Sequence, residues 1–119
     1  MNIPAEIDGE RVVGIGDGAV KMIGGIKRII IPDGVTRIGD YAFYCCTVLS
    51  SIDIPNGVTY IGEFAFCKCS GILANVFIPD SVEKIGHKAF YDCFAPVTYK
   101  GKTYTPVDRP HNDYVKLYT

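Results

Sequence analysis

The sequence contains no tryptophan, only two methionines and two histidines, and no excess of charge of either sign. Twelve Lys and Arg residues against 13 Asp and Glu residues leave a formal net charge of -1, so no basic surface favours nucleic acid or an anionic membrane. No apolar run approaches the roughly 18 residues that span a bilayer, and the N-terminus lacks the basic and apolar regions of a signal peptide. We therefore expect a soluble chain that binds no nucleic acid and does not insert into membranes.

Size and cysteine content limit the architecture. The 119 residues, 48% of them hydrophobic, are enough for one small domain with its own core. The five cysteines are an odd number, so at least one thiol stays unpaired within a monomer. We predict a single domain over residues 1–119, with an N-terminal hairpin cap in 1–13, repeats in 14–93, and a C-terminal hairpin and tail in 94–119.

The chain contains an internal repeat of 23 to 24 residues. Residues 31–43, which begin Ile-Pro-Asp-Gly-Val and end Ala-Phe, have close counterparts in 54–66 and 78–90. A period of this length is typical of solenoids, in which each coil buries a face only against its neighbours. The same register reveals a degenerate first copy, so the chain has about four coils. Val20 stands where the other copies have Phe, and the matching residues are Val12, Ile15, Gly16, Asp17, Ala19, Ile26, Ile29 and Ile31.

Each repeat is predicted to contain a short main strand. Apolar residues alternate with others, and β-branched residues are enriched, in residues 26–31, 49–54 and 73–78. A proline follows each of these segments and ends ladder pairing there. Stacked coil on coil, the main strands are expected to form one parallel sheet.

The remainder of each coil is predicted to hold a second extended segment and a helical turn. The extended segment, 35–38 and its copies, leads into a glycine. A short helical turn then follows, in which Ala42, Phe43 and Cys46 face inward at a spacing of three to four residues. The aromatic column of the repeat is interpreted as core rather than as a ligand pocket, and consists of Phe43, Phe66 and Phe90.

The third coil has one extra residue. We place it between Cys69 and Leu73, because Leu73 then takes the core position that Leu49 has in the second coil. The extra residue is expected to form a bulge on an outside corner.

Turn residues predict hairpins at both ends of the repeats. The pair Asp8-Gly9 readily adopts the positive φ values of a tight turn, which predicts a hairpin over the first coil. Gly101 is predicted to form the turn of a final hairpin in residues 97–104. Beyond it, residues 112–117 are predicted to form one or two turns of helix.

Three of the cysteines share one column of the repeat. They are Cys46, Cys69 and Cys93, and Ile23 has the same position in the first coil. A position that accepts Ile is a core position, so we interpret these cysteines as small buried hydrophobes. Parallel side chains make disulfide geometry hard to reach, and the spacing lacks the two-residue spacer of common zinc sites. No metal or cofactor is predicted.

The other two cysteines, Cys45 and Cys67, fall in columns that otherwise hold mostly polar or tyrosine side chains. They are predicted to reach solvent on the convex side and to be the most reactive thiols. An enzyme nucleophile requires a positioned base, but His87 falls in a surface column with acidic residues and His111 lies in the tail. No catalytic residue is therefore predicted, and a thiol-dependent enzyme remains only a remote alternative.

Alternation along the main strands predicts a binding face. If Ile29, Ile52 and Val76 point inward, their neighbours point outward on the concave side. The candidate binding residues are Arg28, Ile30, Ser51, Asp53, Asn75 and Phe77. Three or four such strands expose only about 150 to 200 Å², against about 800 Å² per partner in a standard interface. A protein partner would therefore require contacts from loops, dimerisation or a longer repeat array.

The strand ending in Ile-Pro, the Val-x-x-Ile-Gly step and the Ala-Phe-x-x-Cys turn resemble the BspA-like leucine-rich repeat family over roughly residues 12–93. Residues 3–9 are similar to the N-terminal lead-in of that family. The usual Asn of leucine-rich repeats is Gly34, Gly57 or Ser81 here, so the Asn ladder is absent, as is usual in this subfamily. The resemblance implies a right-handed coil with short parallel strands, a cell-surface or secreted bacterial location, and no catalytic residues.

These observations predict a non-enzymatic protein-binding or adhesion module with an α/β solenoid fold. The expected partner is a protein, such as a host or matrix protein. The alternative is a structural spacer or a self-associating unit, in which a second copy of the chain is the partner and the product is a homodimer.

Overall fold

A computed structural model of the protein describes residues 2–4, 6–7, 9–22 and 24–105. Within these ranges the chain forms short strands joined by turns and has no helix, so it has none long and apolar enough to cross a membrane. The strands are β1 (Glu6–Ile7), β2 (Glu10–Arg11), β3 (Gly14–Ile15), β4 (Arg28–Ile29), β5 (Arg37–Ile38), β6 (Ser51–Ile52), β7 (Tyr60–Ile61), β8 (Val76–Ile78), β9 (Lys84–Ile85), β10 (Val97–Tyr99) and β11 (Lys102–Tyr104). We name the first to fourth coils by the core residue of each: Val20, Phe43, Phe66 and Phe90.

The second extended segments of the four coils form a continuous parallel sheet in the order β3-β5-β7-β9. Its register pairs Ile15 with Ile38, Ile38 with Ile61, and Ile61 with Ile85, which is the repeat spacing of the sequence. The four isoleucines are buried, while their neighbours on the same strands face outward. The repeat therefore sets the hydrogen-bonding register directly.

The main strands do not form the single sheet that the sequence predicts. β4 pairs with β6, and β8 pairs with β10, both in parallel, but no hydrogen bond between β6 and β8 is found in the described residues. The predicted position of the extra residue is also wrong. Ile72, only 1% exposed, takes the core position, and Leu73 is 70% exposed. The extra residue thus lies between Ile72 and Val76, immediately before β8, where it breaks the pairing with β6.

The predicted helical turn is replaced by a ribbon of overlapping turns. In the second coil, the N–H groups of Ala42, Tyr44 and Cys46 donate to the carbonyl groups three residues earlier. The intervening N–H groups do not continue a helix, because they donate to the next coil: that of Phe43, for example, donates to Ala65 at 2.8 Å. The spacing of Ala42, Phe43 and Cys46 suits both structures, and all three residues are buried as predicted.

The ribbon also explains a set of unusual backbone conformations. Positive φ recurs at two positions of each coil. Each is the third residue of every second turn of the ribbon, the position at which a type II turn requires a positive φ. Glycine satisfies this requirement only in the first coil, at Gly18. Elsewhere larger side chains adopt it, at Met22, Tyr41, Cys45, Phe64, Lys68, Lys88 and Asp92.

Hydrogen-bonded chains of peptide groups run through the ribbon from coil to coil. The C=O of residue 42 and the N–H of residue 43 belong to one peptide group, so successive bonds are linked end to end. One such chain runs from Val20 N–H to Ala42 C=O, from Phe43 N–H to Ala65 C=O, and from Phe66 N–H to Ala89 C=O, each bond at 2.8 Å. Two further chains flank it, starting at the N–H groups of Gly18 and Met22.

The aromatic column forms the centre of the core, as predicted. The rings of Phe43 and Phe66 stack at 5.1 Å between centroids, and those of Phe66 and Phe90 at 5.3 Å. The cysteine column is buried beside it. The thiol of Cys46 donates to the carbonyl of Val20 at 3.1 Å, and that of Cys69 to the carbonyl of Phe43 at 3.1 Å. These thiols therefore connect successive coils.

Antiparallel pairs occur near both ends of the repeats. β1 pairs with β2, and β10 pairs with β11 through the turn at Gly101. β10 has a second role that the sequence did not predict, because it also continues the parallel sheet of β8. Three predictions lie outside the described residues: Ile23 in the cysteine column, His111, and the helix in 112–117.

Carboxylates form a further set of links between coils. Asp17 Oδ1 accepts the backbone N–H of Asp40 at 2.8 Å, and Asp40 Oδ1 accepts that of Glu63 at 2.9 Å. Asp40 Oδ1 also accepts the hydroxyl of Tyr60 at 2.9 Å. The pKa of the Tyr60 hydroxyl is raised, mainly by burial and to a lesser extent by this hydrogen bond. Side-chain oxygens in this column thus bond the backbone of the next coil, the kind of link that an Asn ladder would otherwise provide.

Replacing Asp40 tests this link. The Asp40→Ala variant is expected to lose about 1 to 2 kcal/mol of unfolding free energy, because two donors lose their acceptor. Asp40→Asn retains Oδ1 and is expected to stay within about 0.5 kcal/mol of the wild type. Urea denaturation measures both. Equal losses in the two variants would mean that the charge, rather than the accepted hydrogen bonds, is what stabilises the fold.

Candidate binding face

The six predicted binding residues lie on the outward side of the main strands. The alternating residues of these strands are buried, at Ile29, Ile31, Ile52, Ile54, Val76 and Ile78. Between them, Arg28, Ile30, Asp53 and Phe77 are exposed, whereas Ser51 and Asn75 are half-buried. The inward and outward directions are as predicted, and binding by the six residues remains a prediction.

The break between β6 and β8 divides these residues into two groups. In the first, Arg28 and Ser51 are register partners on β4 and β6. Ile30 belongs to this end of the face and forms an isolated bridge with Asn2. The second group contains Asn75 and Phe77 on the β8 side. No strand pairing joins the two groups within the described residues, so the face is not the uniform sheet expected from the sequence.

Asn75 has a structural role in the second group. Its amide Nδ2 donates to Thr98 Oγ1 at 3.0 Å and to the carbonyl of Val76 at 3.1 Å. Thr98 Oγ1 lies 2.7 Å from Thr103 Oγ1, so polar side chains link the third coil to β10 and β11. Thr98, the register partner of Phe77, is a residue of this face that sequence reasoning missed.

Two large exposed apolar residues that precede β8 and β10 were also missed. Leu73 is 70% exposed and Phe94 is 57% exposed, and each precedes its main strand by three residues. Leu73 was assigned to the core because it precedes Val76 by three residues, as Leu49 precedes Ile52 in the second coil. The spacing from Cys69 to Ile72 could have corrected this, since it equals that from Cys46 to Leu49. Phe77, Leu73 and Phe94 form what we call the apolar end of the face.

Two of the thiols, those of Cys67 and Cys69, are poorly suited to act as nucleophiles. The prediction that Cys67 reaches solvent is wrong, since it is only 1% exposed, whereas Cys45 is half-buried. Burial, and to a lesser extent the Asp92 carboxylate, raises the pKa of Cys67 to about 11. Burial raises the pKa of Cys69 further. Little thiolate exists at either position at neutral pH, which is the opposite of what an activated nucleophile needs.

Other candidate chemistry finds no support in the described ranges. The ring of His87 is half-buried against Phe64, at 5.9 Å between centroids. Among the residues that the structure describes, no group of three or more His, Cys, Asp or Glu side chains could hold a metal ion.

The repeat matches a known protein family. The profile of the BspA type leucine-rich repeat region matches residues 6–96, in six copies. The chain belongs to this family. The resemblance inferred from the Ile-Pro, Ile-Gly and Ala-Phe motifs is thereby confirmed. No curated protein matches the chain.

Solved structures support a leucine-rich repeat solenoid. A leucine-rich repeat protein from Bacteroides ovatus is 33% identical, with a TM-score of 0.73 over 79% of this chain and 25% of its own. One from Bacteroides capillosus is 34% identical, with a TM-score of 0.65 over 71% and 63%. A leucine rich cell surface protein from Faecalibacterium prausnitzii, 21% identical over 87% and 50%, shares the fold at a TM-score of 0.52. The chain spans less than two-thirds of each of these proteins.

Proposed function

We propose that this chain is a non-enzymatic protein-binding module that uses the outward face of its main strands. Leucine-rich repeats generally mediate protein–protein interaction, and the match over residues 6–96 supports that general role. The observation that carries the specific proposal is Phe77. Its side chain is 65% exposed at the centre of β8, although Val76 and Ile78 on either side are buried.

The energetics favour Phe77 as an anchor. Burying an exposed Phe side chain contributes about 1.5 to 3 kcal/mol, and aromatic residues are enriched among the residues that dominate interfaces. The strand holds Phe77 in a fixed direction, so little backbone order has to be gained on binding.

The apolar end of the face also enlarges the surface that is available for a partner. The strands alone offer about 150 to 200 Å², which is too little for a stable complex. Leu73 and Phe94 extend the apolar surface beyond the strands, at the entries to β8 and β10. The proposed contact therefore includes loop residues, with Asp53 and Arg28 supplying charge at its other end.

We extend the proposal to location and role: a cell-surface or secreted protein acting in adhesion, with a host or matrix protein as partner. The Faecalibacterium protein that shares this fold is described as a cell surface protein, which supports the location. Binding of the purified chain to immobilised matrix proteins, measured by biolayer interferometry, is the direct test.

Substitutions on the face should weaken that binding without unfolding the chain. Phe77→Ala is expected to weaken it by about tenfold or more, and Asp53→Ala by a smaller factor. Met22→Ala is the matched control, because Met22 is equally exposed, at 66%, but lies in the turn ribbon. Unchanged binding by Phe77→Ala, or an equal loss in Met22→Ala, would exclude this face. Light scattering on dilution tests the alternative of a homodimer.

A further inference from the structure

Cys45 and Cys67 lie on neighbouring coils of the turn ribbon, in direct backbone contact. The N–H of Cys45 donates to the carbonyl of Cys67 at 2.9 Å. Standard backbone bond lengths then keep the two Cα atoms within about 7 Å of each other. Disulfides connect Cα atoms about 4.4 to 6.8 Å apart, so this pair is within or very near the required range.

This pair differs from the cysteines of the core. Cys46 and Cys69 stand in the same column, so their side chains are parallel, and each thiol donates to a carbonyl of the preceding coil. Cys45 and Cys67 stand in adjacent columns, one residue short of the repeat, so their side chains are not parallel copies. The described hydrogen bonds of these two residues involve only their backbone atoms.

The two thiols also differ in exposure, which suits a reaction in which one thiol reacts first with a reagent and the other reacts second. Cys45 is half-buried and accessible to a small reagent, whereas Cys67 is covered. Cys67 occupies a column whose other members are the larger side chains Lys21, Tyr44 and Tyr91. The Cys45 thiol is among the groups that raise the pKa of Cys67, which places the two sulfur-bearing side chains within electrostatic reach.

We propose that Cys45 and Cys67 form a site of oxidative modification, at which a small-molecule disulfide converts the two thiols into an intramolecular disulfide. The Cys45 thiolate attacks one sulfur of the reagent, forming a mixed disulfide and releasing one small thiol. Because Cys67 is mostly protonated, its thiol loses its proton only as it reacts: its sulfur attacks Cys45 Sγ, which breaks the mixed disulfide, and the proton passes to the second small thiol as it leaves. The two protein thiols are oxidised and the reagent is reduced to two thiols.

The bond would join the second coil to the third, the two coils whose main strands are not paired with each other. It would close a loop of about 22 residues, a size at which a disulfide raises the melting temperature of a domain this small by roughly 8 to 16 °C. The inference does not rest on the proposed binding function, because it concerns the turn ribbon alone.

The test uses the full chain, folded and reduced, incubated with oxidised glutathione and quenched with acid. Intact-mass spectrometry is expected to show the loss of two hydrogen atoms, and fragmentation of proteolytic peptides to show Cys45 joined to Cys67. Cys67→Ser is expected to stop at one glutathione on Cys45, and Cys45→Ser to form neither product. If Cys67→Ser does not fold, Cys45→Ser decides the question, since Cys45 lies at a half-buried position in a column that also accepts Lys and Asp.

Three results would overturn the proposal. They are a wild-type chain that does not react, one that retains glutathione without forming the internal bond, and an internal bond formed equally well in Cys45→Ser. A melting temperature that rises on oxidation and returns on reduction with dithiothreitol would support it.

Discussion

The Gly62→Ala variant is expected to lose at least about 3 kcal/mol of unfolding free energy. A Cβ atom at this position would lie 2.5 Å from Asp40 N and from the carbonyl carbon of Gly39. These are backbone atoms of the preceding coil and cannot move independently, so the second and third coils would have to separate. Separation would also weaken the hydrogen bonds that Gly62 and Glu63 donate to the second coil. Urea denaturation followed by circular dichroism measures the loss.

Gly16→Ala is the matched control for this substitution. Gly16 has the same position in the first coil, but no preceding coil packs against it, and no atom lies within 4 Å of the Cβ site. Its unfolding free energy is expected to stay within about 0.5 kcal/mol of the wild type. A similar loss in both variants would mean that the glycine column serves backbone conformation rather than close packing of coils.

The Phe66→Ala variant is expected to lose about 3 to 5 kcal/mol of unfolding free energy. Phe66 is fully buried between Phe43 and Phe90, and its removal leaves a cavity at the centre of the stack and two lost ring contacts. Because each coil is stabilised only by its neighbours, the gap should also reduce the cooperativity of unfolding. Chemical denaturation gives both the midpoint and the slope.

Phe77→Ala removes the same side chain from an exposed site and is the control. It is expected to change the unfolding free energy by less than about 0.5 kcal/mol, because Phe77 contributes little to the core. The variant thus has a large predicted effect on partner binding and almost none on stability. Equal destabilisation by Phe66→Ala and Phe77→Ala would contradict the assignment of Phe66 to the centre of the core.

Periodicity was sufficient to predict the stacking. A residue that recurs at the same place in successive coils rests on its own copy, so the burial of Phe43, Phe66 and Phe90 follows from the repeat alone. The inward direction of Ile29 and Ile52 follows equally from alternation. These predictions succeeded because they depend on spacing and not on which hydrogen bonds the backbone forms.

Hydrogen-bond partners could not be predicted in this way. A helical turn and a ribbon of turns both bring Ala42, Phe43 and Cys46 inward, and only the bonds to the next coil distinguish them. The extra residue posed a similar problem, because Ile72 and Leu73 are chemically almost equivalent. Two spacings competed, that from Leu73 to Val76 and that from Cys69 to Ile72, and the burial of Ile72 shows that the second was the right guide.

The candidate face shows the same limit. Alternation predicted which residues of each strand point outward, including Phe77. It could not predict that β6 and β8 are unpaired, nor that Leu73 would be exposed. Cys67 was assigned to solvent from the residue types of its column, and its burial depends on neighbouring coils that the column alone does not describe.

The hydrogen-bonded peptide groups of the turn ribbon give that side of the stack an electrical direction. Every coil-to-coil bond in the chains that start at Gly18, Val20 and Met22 runs from an N–H of one coil to a C=O of the next. The peptide dipoles, about 3.5 D each, therefore add along the stack as they do along an α-helix. Partial positive charge accumulates at the fourth coil and partial negative charge at the first. On the opposite side of each coil the bonds run the other way, since the N–H groups of Gly39 and Gly62 donate to carbonyl groups of the preceding coil. The polarity therefore belongs to the ribbon side of the stack, where the fourth-coil end is the more favourable one for an anionic group.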